Sequence, residues 1–397
     1  MIVLTGADLV TPGGIQHGGT LVVDGDRIID VLTTSRPASI GEDRLDLHDH
    51  YIVPGFIDVH VHGLEGIDAL EGGDAVPSIA SRLPKYGVTS FCPTTVACDV
   101  DALRQVLQSI AYARTLSPAG ARVLPAHLES NFINPAYRGA QPEHCLRMPP
   151  ASGVPRVRHG GYDGTDILEE IDRAGEAVTI VTLAPELAGA IELIRHLIDR
   201  GRRVSLGHSG ATLEQGQAAI AAGAQHATHL FNRMPPLGHR DPGLAGAVLE
   251  SDQVAAEIIC DGIHVHPAMV HMSVALKRPE RVMAITDATA AAGLPDGSRT
   301  KLGGSPITVS RSAAYLEDGT LAGSIASMDK VFRFLVKDVA LSPIDASRLC
   351  STTPADELGL RGYGRIEKDA VADLVVLDRH FNVRHTFVAG RRIYSAV

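Results

Sequence analysis

At 397 residues, 45% hydrophobic and 21% charged, the chain can bury a large core in about two or three domains, or in one barrel plus a smaller unit. A net charge of −10, with no Lys/Arg-rich or aromatic-interleaved basic run, argues against nucleic acid as a partner. The five cysteines (Cys92, Cys98, Cys145, Cys260, Cys350) are scattered and never spaced C-x-x-C, which points to reduced thiols and the cytoplasm.

The N-terminus, MIVLTGADLVTPGG, meets Asp8 and glycines too early for the apolar core of a signal peptide. No run of about 18 apolar residues is present to span a membrane. Residues 1–53 read as short β-branched strands, IVLTGADLV, GTLVVDGDRIIDV and DLHDHYIV, punctuated by Gly, Asp and Pro. The GGT at 18–20 and LGG at 302–304 read as β-turns. Residues 359–397 carry the same strand-and-turn texture as the N-terminus. Short strands at each end need partners, so the two ends are predicted to close into one small β-sandwich domain.

Residues 54–358 alternate instead. Apolar strands FIDVHVHG, VTSFCPTT, RVLPAHLE, VTIVTLAP, RVSLGHS, HATHLFN, AAEIICDGIH and RVMAITDA are separated by segments of helical period such as ALRQVLQSIAYARTL and LAGAIELIRHLIDRG. About eight βα units predict an α/β fold, a (β/α)8 TIM-like barrel.

Histidines and carboxylates gather at predicted strand ends. His60, His62, Glu129, His208, His229 and Asp287 each fall at or just past a C-terminal strand end, the edge that carries barrel active sites. His60 and His62 flank Val61, and strand alternation points both to one face. One histidine after a strand is more often a hydrogen-bonded structural residue than a ligand; six suitable residues on six strand ends are hard to ascribe to coincidence. Imidazole with carboxylate favours zinc or iron over magnesium. His127, two residues before Glu129, suits a supporting role. His17, His48, His50, His196 and His226 lack the strand-end placement.

PGFIDVHVHG is similar to the opening of the amidohydrolase superfamily barrel. HLES, SLGHSGAT, ATHLFNRMPPLGHRDPGLAG, CDGIHVHP, ITDAT and GTLAGS, in this order, resemble the N-acetylglucosamine-6-phosphate deacetylase family over most of the chain. The resemblance implies that Glu129, His208 and His229 hold a principal metal, that His60 and His62 allow a second, and that Asp287 is the general acid/base. It implies that Arg240 and His264 meet the sugar phosphate, with His264 available to the neighbouring subunit's site in a homodimer. Asn232, Leu321, Ala322 and Gly323 would line the sugar pocket, with Ala140, Gln141, Arg233 and Asp261 as further substrate positions. The cofactor expected is a divalent metal, zinc ahead of iron, one or two ions per subunit.

Such a site suits amide hydrolysis. A metal acidifies water and polarises the carbonyl, and one carboxylate can take the proton and return it to the leaving amine. No G-x-S-x-G or Cys/His pair offers a covalent nucleophile instead. Three departures from the family pattern stand out. Ser130-Asn131 replaces Gly-Pro after Glu129, Gln141 replaces a histidine, and Arg233 replaces an alanine. The expected reaction is removal of acetyl from N-acetylglucosamine 6-phosphate. Deacetylation of another N-acylated amino sugar or related amide, or non-catalytic binding of a sugar phosphate, are the alternatives.

Overall fold

In the computed structural model, residues 1–34, 43–116, 119–152, 156, 158–310 and 313–396 are described. Eight parallel strands run in sequential order: Phe56–Val61, Val88–Thr95, Ala126–Glu129, Val178–Leu183, Arg203–Leu206, His226–Ala227, Ala255–Ile259 and Val282–Ile285. The short piece Arg122–Val123 also pairs with the second strand. The ring closes where Val61 bridges Ala288 and the His62 N–H donates to the Ala288 carbonyl at 2.8 Å. The strands are buried almost throughout, as expected for parallel strands covered on both faces.

Two apolar clusters hold the barrel. Ile57, Val59, Cys92, Ile180, Ile259 and Ile285 form one. They come from strands that are not all neighbours, so they meet through the inside of the ring. The larger cluster joins the strands to helices such as Val100–Ala113 and Ala190–Asp199, through Val106, Ile110, Ile194 and Leu197. Each of these helices puts its apolar residues at three- and four-residue spacing, so one stripe faces the sheet.

Strands from both chain ends share a separate sheet. Ile2–Thr11 pairs with Gly14–Asp24, Asp43–Asp46 and His50–Pro54, and His50–Pro54 pairs antiparallel with Leu374–Asp378, Leu374 opposite Pro54. Alternation sorts its two faces. Leu4, Leu21, Ile52, Leu374, Val376 and Phe387 form its own core, whereas Val53, Val375 and Leu377 turn to the barrel cluster. The Gly18–Thr20 segment is not a turn. It lies within strand Gly14–Asp24, where the register against the first strand slips and Gly18 takes φ 63. Leu302–Ser305 does turn, between Arg299–Leu302 and Ser305–Ser310 of a three-stranded sheet that sequence reading missed.

Among the described residues no helix is long and apolar enough to cross a membrane. All five cysteines are buried, with free thiols.

Candidate metal centre and cavity

The carboxyl ends of the strands deliver six ionisable groups into one mouth. Glu129 is the last residue of its strand; His208, His229 and Asp287 each stand two residues past theirs, at φ 48, 31 and 50. Left-handed backbone at three non-glycine residues is unfavourable locally and persists where surrounding packing enforces it, as functional sites often require. Here it turns each side chain off the strand and over the ring.

Glu129 Oε1 lies 2.8 Å from His208 Nε2 and 2.8 Å from His229 Nε2, and the two nitrogens are 3.0 Å apart. His208 Nδ1 is 2.9 Å from the Tyr137 carbonyl, which can only accept, so Nδ1 carries a proton. That leaves Nε2 as the ring atom turned to Glu129 and His229. One carboxylate oxygen and two imidazole nitrogens, all buried and within 3.0 Å of one another, are a donor set that fits a metal at Glu129, His208 and His229. His60 and His62 extend the cluster. Their Nε2 atoms are 3.1 Å apart, and His62 Nε2 is 3.5 Å from Glu129 Oε2. Asp287 Oδ1 lies 3.4 Å from His60 Nε2 and 3.2 Å from His62 Nε2.

Electrostatics follow from this crowding. Burial opposes the charge on Glu129, but the facing histidines, His208 first, outweigh it and hold the carboxyl well below its ordinary value. Burial likewise opposes charge on Asp287, and His60 and His62 overcome it, so Asp287 is held below the usual carboxylate range. It is ionised at neutral pH and free to accept a proton. His229 is pushed up to about 9, its burial outweighed by Glu129, whereas burial drives His60 down to about 4.

Above the cluster opens a cavity of about 430 Å³. Its base is buried and ionisable; Arg233 is exposed at its wall. The amidohydrolase family model matches residues 51–393. N-acetylglucosamine-6-phosphate deacetylase from Rattus norvegicus is 38% identical over 402 residues, covering 96% of this chain and 94% of that one. The chain belongs to the N-acetylglucosamine-6-phosphate deacetylase family of the amidohydrolases.

Two further relatives show the breadth of that deacetylase family. N-acetylgalactosamine-6-phosphate deacetylase from Escherichia coli O157:H7 is 34% identical, covering 89% of this chain and 90% of its own. An aspartate-to-alanine variant of the Mycobacterium smegmatis N-acetyl-D-glucosamine-6-phosphate deacetylase, solved with N-acetyl-D-glucosamine-6-phosphate, matches with a TM-score of 0.89 at 32% identity over 99% of both chains.

The positions inferred from the deacetylase resemblance separate into two groups. His62, Glu129, Ala140, Gln141, His208, His229, Asn232, Arg233, His264, Asp287, Leu321 and Gly323 line the cavity. His60, Arg240, Asp261 and Ala322 do not. His60 is fully buried behind His62. Arg240 is exposed, outside this wall. Asp261 accepts the Ile263 and His264 N–H groups at 2.9 Å and pairs with His264 Nδ1 at 2.7 Å, so it positions that histidine. Ala322 is buried, its N–H bonded to the Ala314 carbonyl.

The departures from the deacetylase pattern also divide. Ser130 Oγ donates to the Thr182 carbonyl at 2.5 Å, and Asn131 Nδ2 donates to the Cys98 and Cys145 carbonyls at 2.6 and 2.7 Å. Both are buried and point away from the cavity, tying loops together. Gln141 does face it, but its amide is clamped: Oε1 accepts the Ala97 N–H at 2.7 Å and Nε2 donates to Glu129 Oε2. A glutamine here orients the Glu129 carboxylate. His127 is committed on both nitrogens, to the Val59 carbonyl at 3.0 Å and Thr182 Oγ1 at 2.8 Å. Sequence reading missed Tyr137, Phe231, Met234, Ile259 and Leu302 in the wall and Glu257 beneath it. Phe231, at φ 77, and Met234 stood inside the quoted Ala227–Gly246 motif, Glu257 and Ile259 in the quoted strand AAEIICDGIH and Leu302 in the quoted LGG; Tyr137 lay in no quoted segment.

Proposed function

We propose that the chain hydrolyses the acetamide of N-acetylglucosamine 6-phosphate to acetate and glucosamine 6-phosphate. The observation that carries the reading is Asp287, ionised and 3.2 Å from His62, set beside the Glu129–His208–His229 cluster at the base of the cavity. Similarity to deacetylases along nearly the full chain supports it.

The imidazole and carboxylate donors suit zinc first and iron second. A bound ion supplies charge that polarises the acetamide oxygen and acidifies water. Asp287 then accepts a proton from the attacking water and delivers it to the amine nitrogen as the carbon–nitrogen bond breaks. Water oxygen ends on acetate, and the proton balances on the amine. Gln141 holds Glu129 in place, and His264, fixed by Asp261, faces the sugar end. A binding protein has no need of such a proton carrier.

A second sugar is supported by a specific feature. Arg233 stands in the cavity wall, and one relative is named for N-acetylgalactosamine 6-phosphate. Amine release from both phosphorylated sugars and from unphosphorylated N-acetylglucosamine, after chelation and after zinc or iron reloading, tests the reading. Metal-restored turnover of the gluco ester above the others is expected; none with either ester sinks it.

The same reading takes residues 54–358 as the catalytic barrel and 1–53 with 359–397 as the end domain. Pairing of His50–Pro54 with Leu374–Asp378 in one sheet supports an end domain built from both chain ends, with Pro54 itself still in that sheet. It takes the working form as a homodimer in the cytoplasm. Ile263, next to His264, and Met272 and Leu276, on the following helix Pro267–Lys277, are exposed apolar residues, and Arg240 is exposed three residues after a further one, Leu237. Light scattering on wild type and a Met272→Asp, Leu276→Asp variant checks the dimer, which the charges should split.

A further inference from the structure

Glu257 interrupts an otherwise apolar strand, Ala255–Ile259, every residue of which is buried. Its carboxyl is completely enclosed, yet among the described residues it has no lysine or arginine in an ion pair. Oε2 is 3.0 Å from His60 Nδ1. Oε1 has no hydrogen-bond partner; His127 Nδ1 is 3.8 Å away and already bonded to the Val59 carbonyl. An enclosed carboxylate without a matching charge costs several kcal/mol, and one hydrogen bond from a neutral ring does not offset it.

The charge that answers Glu257 can sit on the far side of His60. That ring is the hub of the mouth, with centroids 5.0 Å from His62, 4.6 Å from His127 and 5.8 Å from His229. When Glu257 accepts the Nδ1 proton, His60 Nε2 is left as a lone pair. It points where His62 Nε2 (3.1 Å), Asp287 Oδ1 (3.4 Å) and Glu129 Oε1 (3.8 Å) also point. Two imidazole nitrogens and two carboxylate oxygens gather there, and a carboxylate behind the histidine raises its basicity.

We infer that Glu257 is a positioning residue that fixes His60 to hold a second divalent ion beside the Glu129–His208–His229 site. The inference rests on the metal-dependent reading above, but its test does not use turnover. Metal-free full-length chain is titrated with zinc, and bound zinc per chain is counted at fixed free zinc. Wild type should take two ions. Glu257→Gln, which keeps the shape and removes the charge, should hold the second ion about 10–100-fold more weakly and leave the first unchanged. His60→Asn should lose the same ion. Metal-free Glu257→Gln should melt no lower than metal-free wild type, because the amide oxygen keeps the hydrogen bond to His60 Nδ1 while the enclosed carboxyl is gone.

Equal affinities in wild type and Glu257→Gln overturn the role of Glu257. A single ion in wild type overturns the second site. A metal-free variant that melts far below wild type, with both ions weakened together, makes Glu257 a fold residue instead; Glu257→Met serves if the glutamine variant does not fold. Two ions bound without deacetylation would leave this inference standing and remove the proposed reaction.

Discussion

Glu129 and Asp373 are both carboxylates buried against the barrel, one at each end of it. Asp373 meets Arg122, in the short piece Arg122–Val123 that pairs with the second barrel strand, and accepts the Ala389 N–H at 2.7 Å, tying the barrel to the sheet of the chain ends. Its charge is matched and its oxygens are used. Glu129 meets two histidines and a glutamine, and the nearby His62 Nδ1 and His229 Nδ1 have no hydrogen-bond partner among the described residues. Burial with a fixed guanidinium makes a structural joint. Burial among titratable, under-satisfied groups makes a place for a cation and a proton carrier.

The largest effect is expected at the mouth. Asp287→Asn should lower kcat by about 10²–10⁴-fold while sugar-phosphate binding and folding persist, as seen by steady-state kinetics beside equilibrium binding. Turnover within a few fold of wild type would move the proton transfer to another group. At the other end, Arg122→Met should leave Asp373 unmatched and cost about 3–5 kcal/mol in denaturant unfolding, with kcat of the folded fraction retained. Loss of turnover without loss of stability would erase the distinction between the two ends.

Lys277 sharpens the contrast with a buried cation. Its ammonium donates to the Val248 carbonyl at 2.9 Å and to the Ser251 carbonyl, at the end of helix Gly243–Glu250. Burial pushes its pKa down to about 8 from 10.5. Between those values the unfolded chain holds the extra proton, so stability rises with pH across the window. Below about 8 both states are charged and the penalty is fully present. Thermal midpoints from pH 7.5 to 10.5 should rise for wild type relative to Lys277→Met, a span of about 1–3 kcal/mol at roughly 1.4 kcal/mol per pKa unit. Parallel curves would show that the lysine is not desolvated.

The smallest change tests a surface joint beside the mouth. Thr212 caps helix Leu213–Ala221, its hydroxyl accepting the Gln215 N–H at 3.3 Å while Gln215 Oε1 accepts the Thr212 N–H at 3.0 Å. Thr212→Ala should cost about 1 kcal/mol in unfolding and leave the ion count unchanged. A lost ion would show that this cap props His208.

By itself the sequence determined the barrel and where chemistry sits on it. Apolar strands alternating with helical segments leave few other architectures, and period two placed His60 and His62 on one face because side chains alternate along any strand. Strand ends located Glu129, His208, His229 and Asp287, since those residues follow apolar runs that can be read locally. Tertiary structure decided the rest. Gln141 reaches back to Glu129, and Ser130 and Asn131, adjacent to that carboxylate, turn away from the cavity. Arg240 stands outside the wall that Arg233 joins, and Glu257 lies beneath His60, 197 residues earlier in the chain. None of these follows from spacing. Each depends on how loops from different βα units fold over one another, on contacts between distant segments that no local period encodes, and on backbone held at positive φ by packing where the residue alone would not choose it.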